Sequence, residues 1–507
     1  MKREEYQPDA QTLQLLERAA RHFSDHHCSA YLVGGSVRDL LLNEPCVDWD
    51  IVTDGDAPGL ARQLANKLGG YYARMHEKAS RVVVRHEGVE TILDISPQQG
   101  ESIEADLRLR DFTINAIAVE LASVARHFTA GVPFALIDPL HGANDLRERR
   151  LRVASERAFQ ADPLRMLRAV RFMMRYQLSL EDRTAQLLTR DAPLLMKAAP
   201  QRIHDELYAI LRPAGATERL RFLDQHGLLT TLIPELIPAR GMRQPELHHW
   251  DVFEHSLESV AALERLSALF QQEPAEVARS PLESEESDLV AIHTLLYEAQ
   301  AQGIFQFAAL TSAPVKLAAL LHDIGKPVTH TVDEDGSIHF YNHPQAGVPL
   351  AQAIMQRLSA STQDRRLVQQ IVAHHMRPGQ LAQTAVTERA IRRYFVDLGP
   401  AGLSVALMAL ADYLGMRGPE PLTVHWPRHL ATARLLFTRY IRERERILPP
   451  RLIQPDELMH RLNIEPGPRV GQLLEYIAEA QAEGRVHSRQ DALWLAEEKL
   501  HQMLSES

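Results

Sequence analysis

The stretch YLVGGSVRDLLLNEPCVDWDIVT, residues 31–53, decides how the N-terminal part of this chain folds. Tyr31-Leu32-Val33 reads as a short apolar strand running into Gly34-Gly35, and a helix follows over 37–42. Val47-Asp48-Trp49-Asp50-Ile51 then alternates apolar and acidic residues strictly. On a strand, that period sends Val47, Trp49 and Ile51 to one face and Asp48 and Asp50 to the other. Two neighbouring carboxylates on one face repel each other unless a cation lies between them. Mg2+ suits such a place, because it takes one or two carboxylates and completes its shell with substrate phosphates and water. The glycine turn at a helix N-terminus offers free backbone N–H groups to phosphate oxygens, Ser36 is placed to cap that helix, and Arg38 supplies a fixed positive charge. Asp94, on the strand-like ETILDI (90–95), is a candidate third carboxylate.

Working outward, helices are expected over 11–26 and 57–68, and strands over 47–53, 81–85 and 90–95. Residues 10–146 therefore read as a mixed α/β domain. Beyond it, helical periodicity punctuated by Pro and Gly dominates, and the chain divides at about 147–240, 241–415 and 416–507. A length of 507 residues agrees, at about 150 residues per domain. A hydrophobic fraction of 45% excludes wholesale disorder. No signal-peptide core and no stretch near the ~20 apolar residues of a membrane span is read, and two cysteines make no disulfide framework. A cytoplasmic protein with no membrane partner is expected. Net charge −10 argues against non-specific coating of nucleic acid, yet residues 147–175 hold nine arginines against three acids, which suits a local groove for an RNA backbone.

Histidine is concentrated: ten of the 24 lie between His248 and His375. His322-Asp323 follows an apolar run, His255 precedes it, and His343, His374-His375 and Asp412 follow. Buried charge requires pairing, and histidines mixed with carboxylates suit a divalent transition metal. Between them, residues 271–289 form an acidic insert, six acids against one arginine, read as a solvated loop.

The motifs also carry a resemblance. Leu32 to Asp39 followed by Asp48-x-Asp50 resembles the signature of the class II tRNA nucleotidyltransferase and bacterial poly(A) polymerase family. Asp106 with Arg110-Asp111-Phe112-Thr113-Ile114-Asn115 is similar to its nucleotide-ribose motif, Asp162-Pro163-Leu164-Arg165 with Arg168 and Arg171 to its base-reading helix, and Arg202 with Glu206 to the end of its neck. The resemblance implies an α/β nucleotidyltransferase head with a mixed antiparallel sheet over 10–146, a base-selecting helical neck, and a tRNA-binding helical tail. Three departures stand out: Leu109 replaces an arginine, Ala161 a glutamate, and the segment from Asp94 to Asp106 is short. In that family this segment bears on the change from adding C to adding A.

Cytosine and adenine both present an amino donor beside a ring-nitrogen acceptor. A carboxylate accepting from the amine and a guanidinium donating to the nitrogen would select them, and Asp162 and Arg165, three apart, share a helix face. The order His255…His322-Asp323…Asp412 resembles the HD phosphohydrolase superfamily. This implies one metal on those four residues, a second supported by His343 with His374 or His375 or both, and Lys326 against a substrate phosphate. The metal would be a divalent transition metal or Mg2+, and the activity hydrolysis of a phosphoester.

The expectation is template-independent addition of C and A to the 3′ end of tRNA, held by its acceptor stem, from CTP and ATP by two-metal nucleotidyl transfer. Asp48, Asp50 and Asp94 would be catalytic. Gly34, Gly35, Arg38, Arg110, Asp111, Asn115, Asp162, Arg165, Arg168 and Arg171 would hold the nucleotide. The alternatives are a poly(A) polymerase or an enzyme restricted to C or A, and an HD phosphohydrolase whose head only binds RNA. The oligomeric state is left open by the sequence.

Overall fold

Strand and helix alternate from Ala10 as the apolar periods require. In the computed structural model, which describes residues 6–46, 48–75, 79–86, 89–272, 287–304, 306–420 and 422–505, two compact units form. Met1–Glu206 with His226–Thr231 makes the first, and Leu207–Gln225 with Leu232–Ser507 the second. The segment 147–240 thus divides between them, while 241–415 and 416–507 lie in one unit. The last two segments are joined by packing and by ion pairs. Arg434–Asp288 and Arg442–Glu298, at 2.7 and 2.8 Å, tie helix Trp426–Arg442 to helix Ser287–Ala301, and Arg392–Glu475 at 2.7 Å ties in helix Pro468–Ala482.

The first unit is built on a six-stranded sheet. Its strands are β1 (Ala30–Val33), β2 (Asp48–Thr53), β3 (Tyr71–Arg74), β4 (Ser80–His86), β5 (Val89–Pro97) and β6 (Ala118–Glu120), in the order β3-β4-β5-β2-β1-β6. Only β2 and β5 run parallel, and their register sets Asp50 opposite Asp94. Trp49 and Ile51 are buried with Leu32, Val82, Leu93 and Ile95 beneath α1 (Ala10–Asp25), α3 (Ala57–Leu68) and α5 (Leu121–Ala130), while α2 (Gly35–Leu41) springs from the end of β1. The alternation expected of β2 therefore holds from Asp48 to Ile51; Val47 lies outside the described residues. Beyond Ile51 both faces are covered, because Val33, Val52, Ile103, Leu107, Ala116 and Ala118 form a second cluster around α4 (Ile103–Arg108).

α6 (Gly142–Arg147) and α7 (Ala158–Ala161) lead to α8 (Arg165–Tyr176). This helix buries Met166, Leu167, Ala169 and Val170, and Phe172 meets the Phe112 ring edge-on at 5.6 Å. Its remaining face carries Arg165, Arg168, Arg171 and Arg175.

In the second unit every residue of helix Ala313–Leu321 is buried, between helices Val252–Phe270, Thr362–His374 and Ala401–Met416. The longer stretch Phe307–Thr329 matches a membrane span by length and composition, against the reading that no stretch comes near one. It is 78% buried over its most apolar window, as a core helix of a folded unit is. Most of the acidic insert, 273–286, lies outside the described residues.

Candidate active site and metal centre

Ser36 fixes the aspartate pair from behind. Its buried hydroxyl donates to the Asp48 carbonyl at 3.0 Å and accepts the Asp50 N–H at 2.7 Å, so α2 grips β2 between the two carboxylates. Gly34 stands at φ +63°, ψ −127°, a conformation that suits glycine. A Cβ there would come within 3.1 Å of Arg110 Nη1 and 3.4 Å of Asp50 Oδ2, and at Gly35 within 3.3 Å of the same oxygen. The turn therefore lies directly against the carboxylate. Burial, Asp94 and Asp48 push the Asp50 carboxyl up to about 6, against the pull of Arg110 and a hydrogen bond from the Gly35 N–H. A divalent cation would remove that penalty, so the donor set fits one.

Asp94 enters the same cavity already paired, accepting from Arg81 Nε and Nη2 at 2.8 Å each. Among the described residues, the groups of three donors close enough to share one ion all lie in the second unit, so the head offers fewer than three converging protein donors. Two carboxylates with open positions suit Mg2+ carrying phosphates. The cavity, of about 680 Å3, is lined by Gly34, Gly35, Asp48, Asp50 and Asp94, and by the arginines of α8 beyond Arg165.

Arg38 lies in this wall but is buried. Its guanidinium donates to Asp39 at 2.8 and 2.9 Å and to Asn115 Oδ1 at 2.6 Å, and stacks 4.3 Å from the Tyr176 ring centre. Asn115 passes the chain on to Asp111 Oδ1 at 2.9 Å, and Asp111 Oδ2 accepts from Arg168 at 2.7 and 3.0 Å. Burial would lift the Asp111 carboxyl; Arg168 and Asn115 hold it below the usual carboxylate range. Arg110 is paired with Asp106 at 3.0 Å.

A second cavity of about 320 Å3 shares Ser96, Gln99, Arg110, Asp111 and Arg168 with the first and adds Leu109, Asp162, Arg165 and Arg202. Asp162 is not on α8: its backbone is extended, φ −145°, ψ 100°, just before the helix. Its Oδ1 accepts the Leu164 N–H at 3.1 Å and its Oδ2 accepts from Arg202 at 2.9 Å. Arg165 does not pair with it. That guanidinium donates to the carbonyls of Leu109 and Arg110 at 2.9 and 3.1 Å. Both groups reach the cavity, though not through the shared helix face expected of an i, i+3 pair, because Pro163 starts the turn between them.

In the second unit, Asp323 is the hub. Its Oδ2 lies 3.4 Å from His255 Nε2 and 3.2 Å from His322 Nε2; its Oδ1 lies 3.2 Å from His343 Nε2 and 3.7 Å from His375 Nε2. Asp412 Oδ1 is 3.0 Å from His255 Nε2. His322, His343 and His375 each direct Nδ1 at a backbone carbonyl, of Ala319, Phe340 and Val372, at 2.8–2.9 Å. A carbonyl only accepts, so Nδ1 carries the proton and Nε2 faces the cluster as a ligand nitrogen does.

Nε2 atoms meet pairwise, His255 with His322 at 3.2 Å and His343 with His375 at 3.3 Å, an arrangement a cation between them would relieve. This donor set fits one or two divalent transition metals. Burial alone would lower His322, yet Asp323 and Asp412 carry it up to about 10, so a metal taking its Nε2 would displace a proton from that atom. Lys326 Nζ forms an ion pair with Asp323, 2.6 Å from Oδ2, and donates its hydrogen bond to Gln244 Oε1 at 2.5 Å. His374 is a correction: it is absent from these groups of converging donors, because one residue turns it about 100° around the helix from His375, and its charged neighbours are Arg377 and Asp397.

Family models match three segments: a poly A polymerase head domain over 30–152, a probable RNA and SrmB-binding site of polymerase A over 177–240, and an HD domain over 252–417. The A-adding tRNA nucleotidyltransferase of Deinococcus radiodurans is 34% identical over 91% of this chain and 94% of its own length. The chain belongs to the tRNA nucleotidyltransferase family. The CC-adding tRNA nucleotidyltransferase of Geobacter sulfurreducens is 31% identical over 96% of this chain and 95% of its own. A solved CCA-adding enzyme in its apo form shares the fold, with TM-score 0.63 and 18% identity over 96% of this chain and 94% of that one.

This tRNA nucleotidyltransferase is an enzyme, and its nucleotidyltransferase and HD families use divalent metals. Three features of the sites escaped the sequence. Arg81 binds Asp94 across a strand pair, Ser36 lies inside α2 and bonds two backbone groups of β2 instead of capping the helix, whose N-cap is Gly34 with no side-chain cap bond, and Arg202 reaches Asp162 from 40 residues away. Only the serine had a local signal, its place after the glycines.

Proposed function

We propose that this tRNA nucleotidyltransferase adds C and A residues to the 3′ ends of tRNAs, using CTP and ATP without a nucleic-acid template. The observation that carries the reading is the continuity of the two head cavities, with Asp48 and Asp50 in one, Asp162 and Arg165 in the other, and Arg110, Asp111 and Arg168 in both. Mg2+ on Asp48 and Asp50, one ion or two, would lower the pKa of the RNA 3′ hydroxyl and neutralise the leaving pyrophosphate. The Gly34-Gly35 turn lets phosphate oxygens approach the backbone. Asp111 and Asn115, locked by Arg168 and Arg38, orient the ribose, with Arg110 beside them. Asp162 accepts from the amino group of C or A and Arg165 donates to the ring nitrogen. For both bases the polarity is the same, and G or U would leave buried groups unpaired.

A restriction to one nucleotide is the second reading, favoured by relatives named for A addition and for CC addition and by the short segment from Asp94 to Asp106. tRNAs lacking one, two or three terminal nucleotides, incubated with CTP and ATP separately and together, test it. Addition of C to the two shorter ends and of A after them supports the first reading. A single productive nucleotide supports the second, and long A tails would point to a poly(A) polymerase.

For the HD cluster the reading is phosphoester hydrolysis. A transition metal there would supply an activated water and polarise the phosphoryl oxygen. His255, His322, Asp323 and Asp412 would hold one ion, and Asp323 Oδ1 with His343 and His375 a second, with Lys326 beside the substrate phosphate. Release of phosphate from nucleoside monophosphates or opening of a cyclic phosphate, dependent on added Mn2+ or Co2+, is the expected activity.

A further inference from the structure

Five arginines line the cavity that holds the aspartate pair: Arg38, Arg110, Arg168, Arg171 and Arg175. Four are neutralised within the protein. Arg38 pairs with Asp39 at 2.8 Å, Arg110 with Asp106 at 3.0 Å, Arg168 with Asp111 at 2.7 Å and Arg171 with Glu206 at 2.8 Å. Arg175 is exposed and, among the described residues, has no carboxylate partner. Its guanidinium lies 5.1 Å from the ring centre of Tyr176, the ring that also carries Arg38 from the glycine-turn helix.

The position along α8 gives this charge a direction. Arg165 lines only the base cavity, Arg168 lines both cavities, and Arg171 and Arg175 line only the metal cavity. Ten residues of helix put Arg175 about 15 Å beyond Arg165. A nucleotide whose base meets Asp162 and Arg165, and whose α-phosphate meets Asp48 and Asp50, therefore directs its outer phosphates toward Arg175. A triphosphate carries more negative charge than one Mg2+ cancels, and an unpaired guanidinium suits the remainder through two parallel hydrogen bonds.

We propose that Arg175 binds the outer phosphates of the incoming nucleoside triphosphate. This rests on the nucleotidyltransferase reading of the head. The test uses the full chain with Arg175→Ala and Arg175→Lys, measuring KM for CTP and ATP in single-nucleotide addition, and tRNA affinity by filter binding without nucleotide. Arg175→Ala is expected to raise KM for an incorporated nucleotide about tenfold, as loss of a charge-assisted hydrogen bond does, with tRNA affinity intact. Arg175→Lys should recover most of the loss. An unchanged KM overturns the proposal, and so does a tRNA affinity that falls by the same factor, which would assign Arg175 to the RNA backbone or to the fold. Wild-type protein that adds no nucleotide at all would sink the function reading instead, so the two failures are distinguishable.

Discussion

Asp50 is the residue on which chemistry and cost meet. Its carboxyl, pushed up to about 6 by burial and by Asp94 and Asp48, is half protonated near that pH before any metal arrives. Proton and cation compete for the same oxygens, so the Mg2+ concentration needed for half-maximal addition should be constant above about pH 7. It should rise about tenfold per unit once the pH falls below 6. A Mg2+ titration of activity at several pH values checks this; a requirement flat from pH 7.5 to 5 would contradict it.

Ser36 offers a second test at this scale. Ser36→Ala leaves the Asp50 N–H and the Asp48 carbonyl without their shared partner, which should cost about 1–3 kcal/mol of stability and weaken Mg2+ activation. Thermal unfolding beside the same titration reads both. Arg38 shows where residue-type reasoning ran short: an arginine after a glycine turn suggests phosphate, but Asp39, Asn115 and Tyr176 take its guanidinium, and none of these contacts beyond Asp39 is local in sequence.

Elements were legible where period and burial agreed. The alternation of β2 from Asp48 to Ile51 and the apolar spacing of α1 and α3 match the elements and their buried faces, because over those residues one face meets one core. β3 and β6 were missed. β6 is three residues long and β3 is a polar edge strand with Tyr71 exposed, so neither has enough residues for a period to register. The base-reading turn departs from expectation for a related reason: spacing of three implies a shared face only inside a helix, and Asp162 and Pro163 lie in the turn before α8 begins at Arg165. The glycine turn carries its own prediction. Gly34→Ala meets a backbone region closed to side chains and a contact with Arg110, so about 1–3 kcal/mol of stability and most nucleotide affinity should be lost. Calorimetric unfolding and CTP binding measure the two.

For the molecule as a whole, two candidate sites lie on one chain in two compact units, one built around a sheet and one around helices. The histidine excess announced the second, and the residue order located it, since the five residues other than the His374–His375 choice needed only their family pattern to be found together. Separating His375 from its neighbour required the helix itself. Because the clusters lie in different units, Asp323→Asn should abolish stabilisation by Mn2+ or Co2+ and any phosphoester hydrolysis while nucleotide addition persists. A chelator-sensitive melting temperature in wild type, lost in the variant, is the expected signature.

The central claim, that Asp48 and Asp50 hold the cation for nucleotidyl transfer, is tested most directly by 3′-end labelling of truncated tRNA with α-labelled CTP and ATP. Wild type should label the RNA and release pyrophosphate, and Asp50→Asn should label it about 1,000-fold more slowly or not at all, several kcal/mol of transition-state stabilisation being removed. Labelling by Asp50→Asn at the wild-type rate would contradict the account.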